Sequence, residues 1–243
     1  MALAILATAS AARAQMSMGP VTASAPYGLP MEDDPILIHG LLEQAELRGD
    51  GQGADLRWMG EAWVGNDESR LWLKSEGLLR PHGKVEDGQT ELLYSRPVSP
   101  FFDLRLGGRY DLDSGPGRGW AAAGISGLAP YRIHVSAMAY AGDRGRAAAK
   151  LEASSDLLLT QRLILSPQIE MNLYSKGDPA RRIGPGLSDL DAGLRLRYEI
   201  TRKFAPYIGV SETARFGQTA DMTRRAAERS SDTRFVLGIR SWF

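Results

Sequence analysis

The chain has no cysteine among its 243 residues and only three histidines. The lack of cysteine excludes disulfides, thiolate metal sites and cysteine nucleophiles. A metal ion would therefore have to be held by histidine, methionine, carboxylate or carbonyl groups. The chain also lacks net charge, because 29 Lys and Arg balance 29 Asp and Glu. No overall field attracts nucleic acid, so we expect no nucleic-acid partner, and any other partner must be recognised locally.

Long apolar runs are missing as well, since nowhere do about 18 consecutive apolar residues offer a transmembrane helix. The shorter apolar run at residues 2–12 leads into Ala12-Arg13-Ala14, which has the small-x-small form of a signal-peptidase site. We predict a signal peptide at residues 1–14. Residues 15–35 mix Met, Pro, Gly, Ser and acids without a structural period, which predicts a flexible periplasmic N-terminal arm.

Residues 36–243 alternate apolar with polar or small residues in segments of roughly ten. In one segment Phe102, Leu104 and Leu106 occupy the face opposite Asp103 and Arg105. This period of two indicates β-strands. Twelve such segments are centred near Leu42, Glu61, Leu73, Leu93, Leu106, Ala123, Ala137, Leu151, Ile169, Leu194, Val210 and Ile239.

The links between these segments alternate in length. Short turns at 96–100, 128–131, 160–163 and 202–205 take turns with longer stretches such as 80–88, 176–187 and 218–232. A soluble barrel would bury its apolar face, but the export signal, the alternating links and the terminal aromatic residue favour a barrel that turns this face to lipid. We predict an all-β fold: a closed antiparallel up-and-down transmembrane β-barrel of about twelve strands at 36–243, with short periplasmic turns and longer extracellular loops. It would lie in the bacterial outer membrane, in contact with lipid.

The polar face of each strand should line the lumen of this barrel. The acidic and amide residues predicted to face inward are Gln44, Glu46, Glu61, Glu76, Glu91, Asp103, Asp111, Glu152, Asp156, Glu170, Asp189, Asp191 and Glu199. The basic ones are Arg57, Lys74, Arg105, Arg109, Lys150, Arg195, Arg197 and Arg240. Because acids outnumber bases, the lumen should favour cations. Aromatic residues near strand ends could form the interfacial girdles of a barrel: Trp63, Trp72, Phe101, Tyr131, Tyr207, Trp242 and Phe243.

The best metal candidates share the polar face of one strand. His134 and Met138 are four residues apart, about 13 Å along a strand, so they cannot chelate one ion alone. Partners would come from neighbouring strands: Glu152, Glu170, or Met171 if a bulge re-aims it. Imidazole and thioether suit copper, and thioether selects the cuprous ion. The alternative is that His134 is a hydrogen-bonded structural residue.

Further candidates lie near the ends of strands and in the arm. His39 is close to the start of the first strand, and His82 lies in a predicted extracellular loop beside Glu86 and Asp87. Both could equally be surface residues without a ligand. Met31 lies in the arm, as do Met16 and Met18, where a thioether has no packing purpose.

The pair His134-x-Ser136 leaves an enzyme open as an alternative, because it is similar to the dyad of outer-membrane phospholipases, which are also twelve-stranded. In those enzymes the pair must face lipid to meet its substrate. Here both residues lie opposite an aliphatic row, so they should face the lumen. No Gly-x-Ser-x-Gly motif or phosphate loop supports an enzyme, and we predict that no residue is catalytic.

Several longer stretches resemble the copper resistance protein B family over nearly all of 36–243. They are LWLKSEG (71–77), LYSR (93–96), SPFFDL (99–104), GGRYD (107–111), GLAPY (127–131), DLLLTQRLIL (156–165), GLSD (186–189), GLRLRYEI (193–200), FAPY (204–207) and DTRF (232–235).

The resemblance implies an outer-membrane β-barrel without enzymatic activity that works with a periplasmic multicopper oxidase and handles copper passage or sequestration. Family members often carry a Met- and His-rich arm, whereas this arm holds three Met and no His. We therefore expect a protein that binds or conducts copper ions through an acidic lumen, with copper as ligand or transported species. A non-selective pore, a copper-binding scaffold for the oxidase and a lipid hydrolase are the alternatives.

Overall fold

A computed structural model describes residues 35–49, 53–80, 83, 85–112 and 117–243. The predicted signal peptide at 1–14 lies outside these residues, as does the predicted arm at 15–35 except for Pro35. Both remain predictions. Among the described residues no helix has the length and apolar content needed to cross a membrane.

The described chain forms one sheet of thirteen strands. Their bounds are β1 Leu37–Gly49, β2 Ala54–Gly65, β3 Arg70–Leu79, β4 Val85–Pro97, β5 Phe102–Asp111, β6 Arg118–Ala129, β7 Ile133–Gly142, β8 Ala147–Ser155, β9 Leu157–Leu158, β10 Leu163–Tyr174, β11 Gly186–Tyr198, β12 Phe204–Arg215 and β13 Ser231–Trp242. One α-helix, α1, spans Gly217–Arg225, and three short 3-10 helices span Pro130–Arg132, Asp143–Gly145 and Pro179–Arg181.

The strands close into a barrel. Each long strand pairs antiparallel with its sequence neighbours, and the ring closes because β13 pairs with β1. The two-residue β9 adds only a short pairing of Leu157 and Leu158 with the first residues of β10. The remaining twelve strands coincide with the twelve predicted segments, so the predicted closed up-and-down barrel is confirmed.

The two ends of the barrel differ. β1 begins and β13 finishes at the end that carries the links 66–69, 98–101, 130–132 and 199–203. The opposite end carries the two longest links, 175–185 and 216–230, and the second of these contains α1. In barrels with an even number of strands, the chain ends and short turns are periplasmic and the longer loops are extracellular. The end where β1 begins is therefore the periplasmic end, and the opposite end is the extracellular one.

The distribution of side chains is the reverse of that in a soluble barrel. Apolar residues on the outer face are exposed, as shown by Ile208 and Leu237, each at 60%. Charged residues are enclosed, because Glu46 is 0% and Lys150 4% exposed. Aliphatic side chains therefore face lipid and ionisable ones face the lumen, as the alternation predicts.

Some predicted girdle residues face the lumen instead. Phe101, Tyr131 and Phe243 are exposed, whereas Trp72 and Tyr207 are buried. Trp72 lies between two outward-facing leucines of β3 and so points inward, and the hydroxyl of Tyr207 bonds to lumenal Glu46. Trp63 and Trp242 also face the lumen, where they contact the ring of His39. The phase of each strand decides which face an aromatic residue occupies, and proximity to a strand end does not.

A bulge in β1 adds a lumenal acid that strict alternation misses. The register of β1 with both β2 and β13 shifts immediately after Leu42. The additional residue, Glu43, has Glu61, Lys74 and Arg240 as electrostatic neighbours. A bulge places two consecutive residues opposite one partner, so Glu43 and Gln44 both reach the lumen.

Candidate functional site in the barrel lumen

The lumen contains ion pairs between strands that are distant in the sheet. On β1, Glu46 receives two hydrogen bonds from Arg195 of β11, from Nε at 2.9 Å and Nη2 at 2.9 Å. Arg48 donates to Glu46 at 2.6 Å and to Asp191 at 2.7 Å. Tyr207 donates its hydroxyl proton to Glu46 at 3.0 Å. This fully buried carboxylate therefore has four donor contacts, which offset its desolvation.

A second group of contacts connects β2 with β10 across the lumen. Arg57 donates from Nη2 to Glu170 at 3.1 Å and from Nε to Gln44 at 3.2 Å. Gln44 in turn donates to Gln168 at 2.6 Å. In the sheet, β2 and β10 are separated by β1, β13, β12 and β11. These bonds therefore bridge the lumen interior and do not follow its wall.

Three glutamates from different strands converge beside these bridges. One carboxylate oxygen each of Glu76 on β3, Glu152 on β8 and Glu170 on β10 lies within 4.8 Å of the others. The Lys150 ammonium pairs with all three: with Glu76 at very short range, with Glu152 at 2.9 Å and with Glu170 at 3.4 Å. Lys74 approaches Glu152 at 3.7 Å. We call Glu76, Glu152 and Glu170 the glutamate triad.

A small cavity adjoins the triad and includes two methionines in its lining. The centre of a water molecule can occupy about 10 Å³ of this cavity. The cavity therefore has space for roughly one water. Its lining includes Met59, Met138, Glu76, Glu152 and Lys150. Methionine and glutamate side chains thus border one space among buried residues.

The wall formed by β3 to β8 contains a cluster of apolar and aromatic residues. Its buried cluster comprises Trp72, Leu93, Trp120, Ala122, Met138, Tyr140 and Ala148. Two of its members bond to lumenal acids, because Tyr140 donates to Glu91 at 2.6 Å and Trp120 donates to Asp111 at 2.9 Å. Met138 and Tyr140 belong both to this cluster and to the lining of the cavity, so the triad lies beside apolar side chains of the same wall.

A row of rings lines the periplasmic end of the lumen. The His39 ring lies between Trp63 and Trp242, with centroids 5.9 Å apart in each case, and Trp63 is 5.9 Å from Trp72. Arg70 stacks on Trp63 at 5.0 Å and Arg105 stacks on Trp72 at 4.3 Å. We call His39, Trp63, Trp72 and Trp242 the aromatic row. Its π-faces already accept cationic groups.

Loops fold over the extracellular mouth. Arg181, in the link between β10 and β11, reaches Asp111 of β5 at 2.9 Å. The same link contacts α1, since the Gly184 amide donates to Thr219 at 2.8 Å. A Cβ at Gly184 would lie 2.7 Å from the Thr219 amide nitrogen, so this close approach requires glycine. The loops are thereby anchored to the rim and to each other.

An exposed ion pair also joins these loops. Arg182 donates to Glu228 at 2.7 Å. Partial burial by itself would raise the pKa of the Glu228 carboxyl. The hydrogen bond from Arg182 and the positive charges of Arg182, Arg80 and Arg215 outweigh this effect of burial. The pKa of Glu228 is therefore lowered from 4.5. Glu228 thus forms its loop contact with Arg182 as the ionised carboxylate.

The structure brings some predicted metal residues together and separates others. Met138, Glu152 and Glu170 lie at the triad and its cavity or border on them. His134 shares their inward phase but is exposed at the periplasmic rim, and His39 belongs to the aromatic row. His82 and Met31 lie outside the described residues.

Met171 lies on the other side of the wall. It pairs with Leu151 of β8 and Leu190 of β11 on the outer face, and its register with both strands is regular at this point. No bulge turns Met171 toward the lumen, as its prediction as a metal ligand required, so its side chain faces lipid. It cannot join Glu170, because consecutive strand residues point to opposite faces.

The sequence reasoning missed Met59 as a site residue and treated Glu76 and Lys150 only as lumenal charges. Met59 has the same strand phase as Asp55, Arg57 and Glu61, which could have identified it as lumenal. No sequence signal places β2, β3, β8 and β10 around one point, because that convergence depends on closure of the barrel.

The fold and its charged lumen define an outer-membrane β-barrel. Among solved structures, that of the NanC porin aligns with a TM-score of 0.54 at 12% identity, covering 84% of this chain and 99% of the porin. At this identity the likeness concerns the fold alone.

The sequence comparisons identify the family. The family model described as "Copper resistance protein B precursor (CopB)" matches residues 36–243. "Copper resistance protein B" of Escherichia coli is 42% identical over 216 residues, which cover 89% of this chain and 73% of the relative. "Copper resistance protein B homolog" of Pseudomonas syringae pv. tomato is 43% identical with the same coverage. The chain belongs to the copper resistance protein B family and functions in copper resistance at the outer membrane.

Proposed function

We propose that the protein binds copper ions inside its lumen, at the cavity between Met59, Met138 and the glutamate triad, and passes them along the lumen by ligand exchange. Family membership supports copper as the ligand. The observation that carries the proposal is one cavity lined by two methionines and by Glu76 and Glu152, beside which the third triad carboxylate, that of Glu170, lies. Thioethers favour the cuprous ion, while carboxylates supply the negative charge that draws a cation inward.

The contacts that cross the lumen favour exchange at sites over free diffusion. Arg57, Lys150 and Arg195 each join strands from different parts of the ring. A non-selective pore needs an unobstructed path, which these bridges oppose. Conduction would require ligands that release the ion, and such weak ligands are present as single thioethers and shared carboxylates.

A second candidate role is a copper-binding scaffold for a periplasmic multicopper oxidase. The aromatic row favours it, because it presents His39 at the periplasmic end, where copper could be handed to a soluble partner. Both roles are non-enzymatic. For a lipid hydrolase, His134 and Ser136 would have to reach lipid, but they share the lumenal phase of Met138.

The test is copper binding and copper flux with the protein reconstituted in liposomes. Replacing both lumenal methionines, Met59→Leu with Met138→Leu, should reduce cuprous binding by about tenfold or more, because leucine keeps the volume and removes the sulfur. Met171→Leu is the matched control on the lipid face and should bind as the unmodified protein does. Binding without flux would favour the scaffold. Equal binding by the double variant and the control would refute the lumenal site.

A further inference from the structure

Lys150 places a positive charge at the centre of the glutamate triad. Its side chain is 4% exposed. Its ammonium pairs with Glu76 of β3, Glu152 of β8 and Glu170 of β10. The ammonium therefore lies where a cation shared by these three carboxylates would bind.

Within the ion pairs of the triad, positive and negative charges balance only when Lys150 is counted. Arg57 pairs with Glu170 at 3.1 Å and Lys74 with Glu152 at 3.7 Å, so three bases stand against three acids. Without Lys150 one carboxylate of the triad would have no cationic partner among these buried residues. An uncompensated buried charge is strongly unfavourable, and a cation from solution would offset that cost.

We propose that Lys150 sets which cations the lumen accepts, because its ammonium is a tethered competitor for the triad oxygens. This inference rests on the proposed copper site. A hard cation such as Mn²⁺ gains only carboxylate oxygens, and Lys150 already occupies them. A cuprous ion gains the thioethers of Met59 and Met138 in addition, and so has a source of binding energy for which the ammonium does not compete.

The choice of lysine fits this role. Lysine carries a compact charge on a flexible four-carbon stem, whereas arginine holds carboxylates through a rigid planar fork. A flexible ammonium can leave the triad when a better ligand set forms. The site then selects among cations in two ways: the Lys150 ammonium repels them, and the thioethers attract the preferred ion.

The experiment compares Mn²⁺ binding by the full-length protein in liposomes with that of Lys150→Met and Lys150→Arg. Methionine retains the length and removes the charge, while arginine retains the charge. Lys150→Met should bind Mn²⁺ about tenfold more tightly or better, and Lys150→Arg should bind as weakly as the unmodified protein. A folded Lys150→Met variant that gains no Mn²⁺ affinity would overturn the proposal. Since this arm contains no copper, its result is independent of whether the proposed copper site exists.

A second measurement needs no variant and covers the case in which Lys150→Met fails to fold. Acylation of Lys150 by an amine-reactive reagent is followed in the unmodified protein by mass spectrometry. Cuprous ions should accelerate labelling at Lys150 by releasing its ammonium, and Mn²⁺ should not. Exposed Lys203 serves as the internal reference. Unchanged Lys150 labelling with copper bound would contradict displacement, whereas the absence of any copper binding would contradict the proposed function instead.

Discussion

Arg195 of β11 and Glu46 of β1 form a two-point ion pair across the lumen, with nitrogen to oxygen distances of 2.9 Å in both contacts. β12 and β13 separate the two strands in the sheet. The pair therefore ties together parts of the ring that share no backbone hydrogen bonds, and it does so with a carboxylate that is 0% exposed.

Glu46→Ala should destabilise the barrel by about 3–5 kcal/mol, because it leaves the guanidinium groups of Arg195 and Arg48 without their shared acceptor in a buried site. Urea unfolding in detergent micelles, followed by tryptophan fluorescence, measures the change. Glu68→Gln in an exposed periplasmic turn is the control and should stay within about 0.5 kcal/mol. Equal midpoints for the two variants would show that the lumenal network does not hold the ring together.

A charge on the outer face should be expensive. Leu194, near the middle of β11, is 43% exposed on that face. Leu194→Arg should cost about 2–4 kcal/mol, since it places a guanidinium in the hydrocarbon region. Leu194→Met keeps the side chain apolar and should cost under about 1.5 kcal/mol. Refolding yield and unfolding midpoint in lipid vesicles measure both, and a tolerated arginine would mean that this face does not meet lipid.

Cupric ions should quench tryptophan fluorescence through His39. Its ring lies 5.9 Å from both Trp63 and Trp242, and a paramagnetic ion at the imidazole would be close to both indoles. His39→Phe keeps a ring of similar size and removes the ligand nitrogens, so quenching should fall several-fold. His134→Phe is the matched control at the same end of the barrel. If only the control lost quenching, copper would bind at His134 and not within the aromatic row.

The extracellular loop contact should weaken in acid. Because the pKa of Glu228 is lowered in the folded protein, its ion pair with Arg182 stabilises the loops above pH 4.5 and is lost as pH falls through the folded value. Hydrogen exchange in the 216–230 link should therefore become faster on acidification, relative to Glu228→Gln at the same pH. The ratio between the two proteins should approach one as the pH falls through the lowered pKa of Glu228. A ratio that stayed constant would mean that the pair contributes nothing to loop order.

The alternation of residues was sufficient to predict every long strand and the face that each one turns to lipid. Phe102, Leu104 and Leu106 could be assigned outward and Arg105 inward without coordinates, because a one-residue slip in a strand reverses both faces. The assignment of girdle residues misplaced Trp63, Trp72, Tyr207 and Trp242, because it gave position near a strand end priority over phase. Strict alternation also missed Glu43, because a bulge leaves no periodic signal in the sequence.

The sequence by itself thus determined the strands, their order and the chemical character of each face, since these depend on local periodicity and on the solvent that each face meets. Only the tertiary structure decided which lumenal residues meet. Lys150 and Glu76 are 74 residues apart in the chain, and Met59 and Met138 come from separate strands. Their convergence follows from closure of the ring, whose shear and strand tilt set the heights at which distant strands face each other.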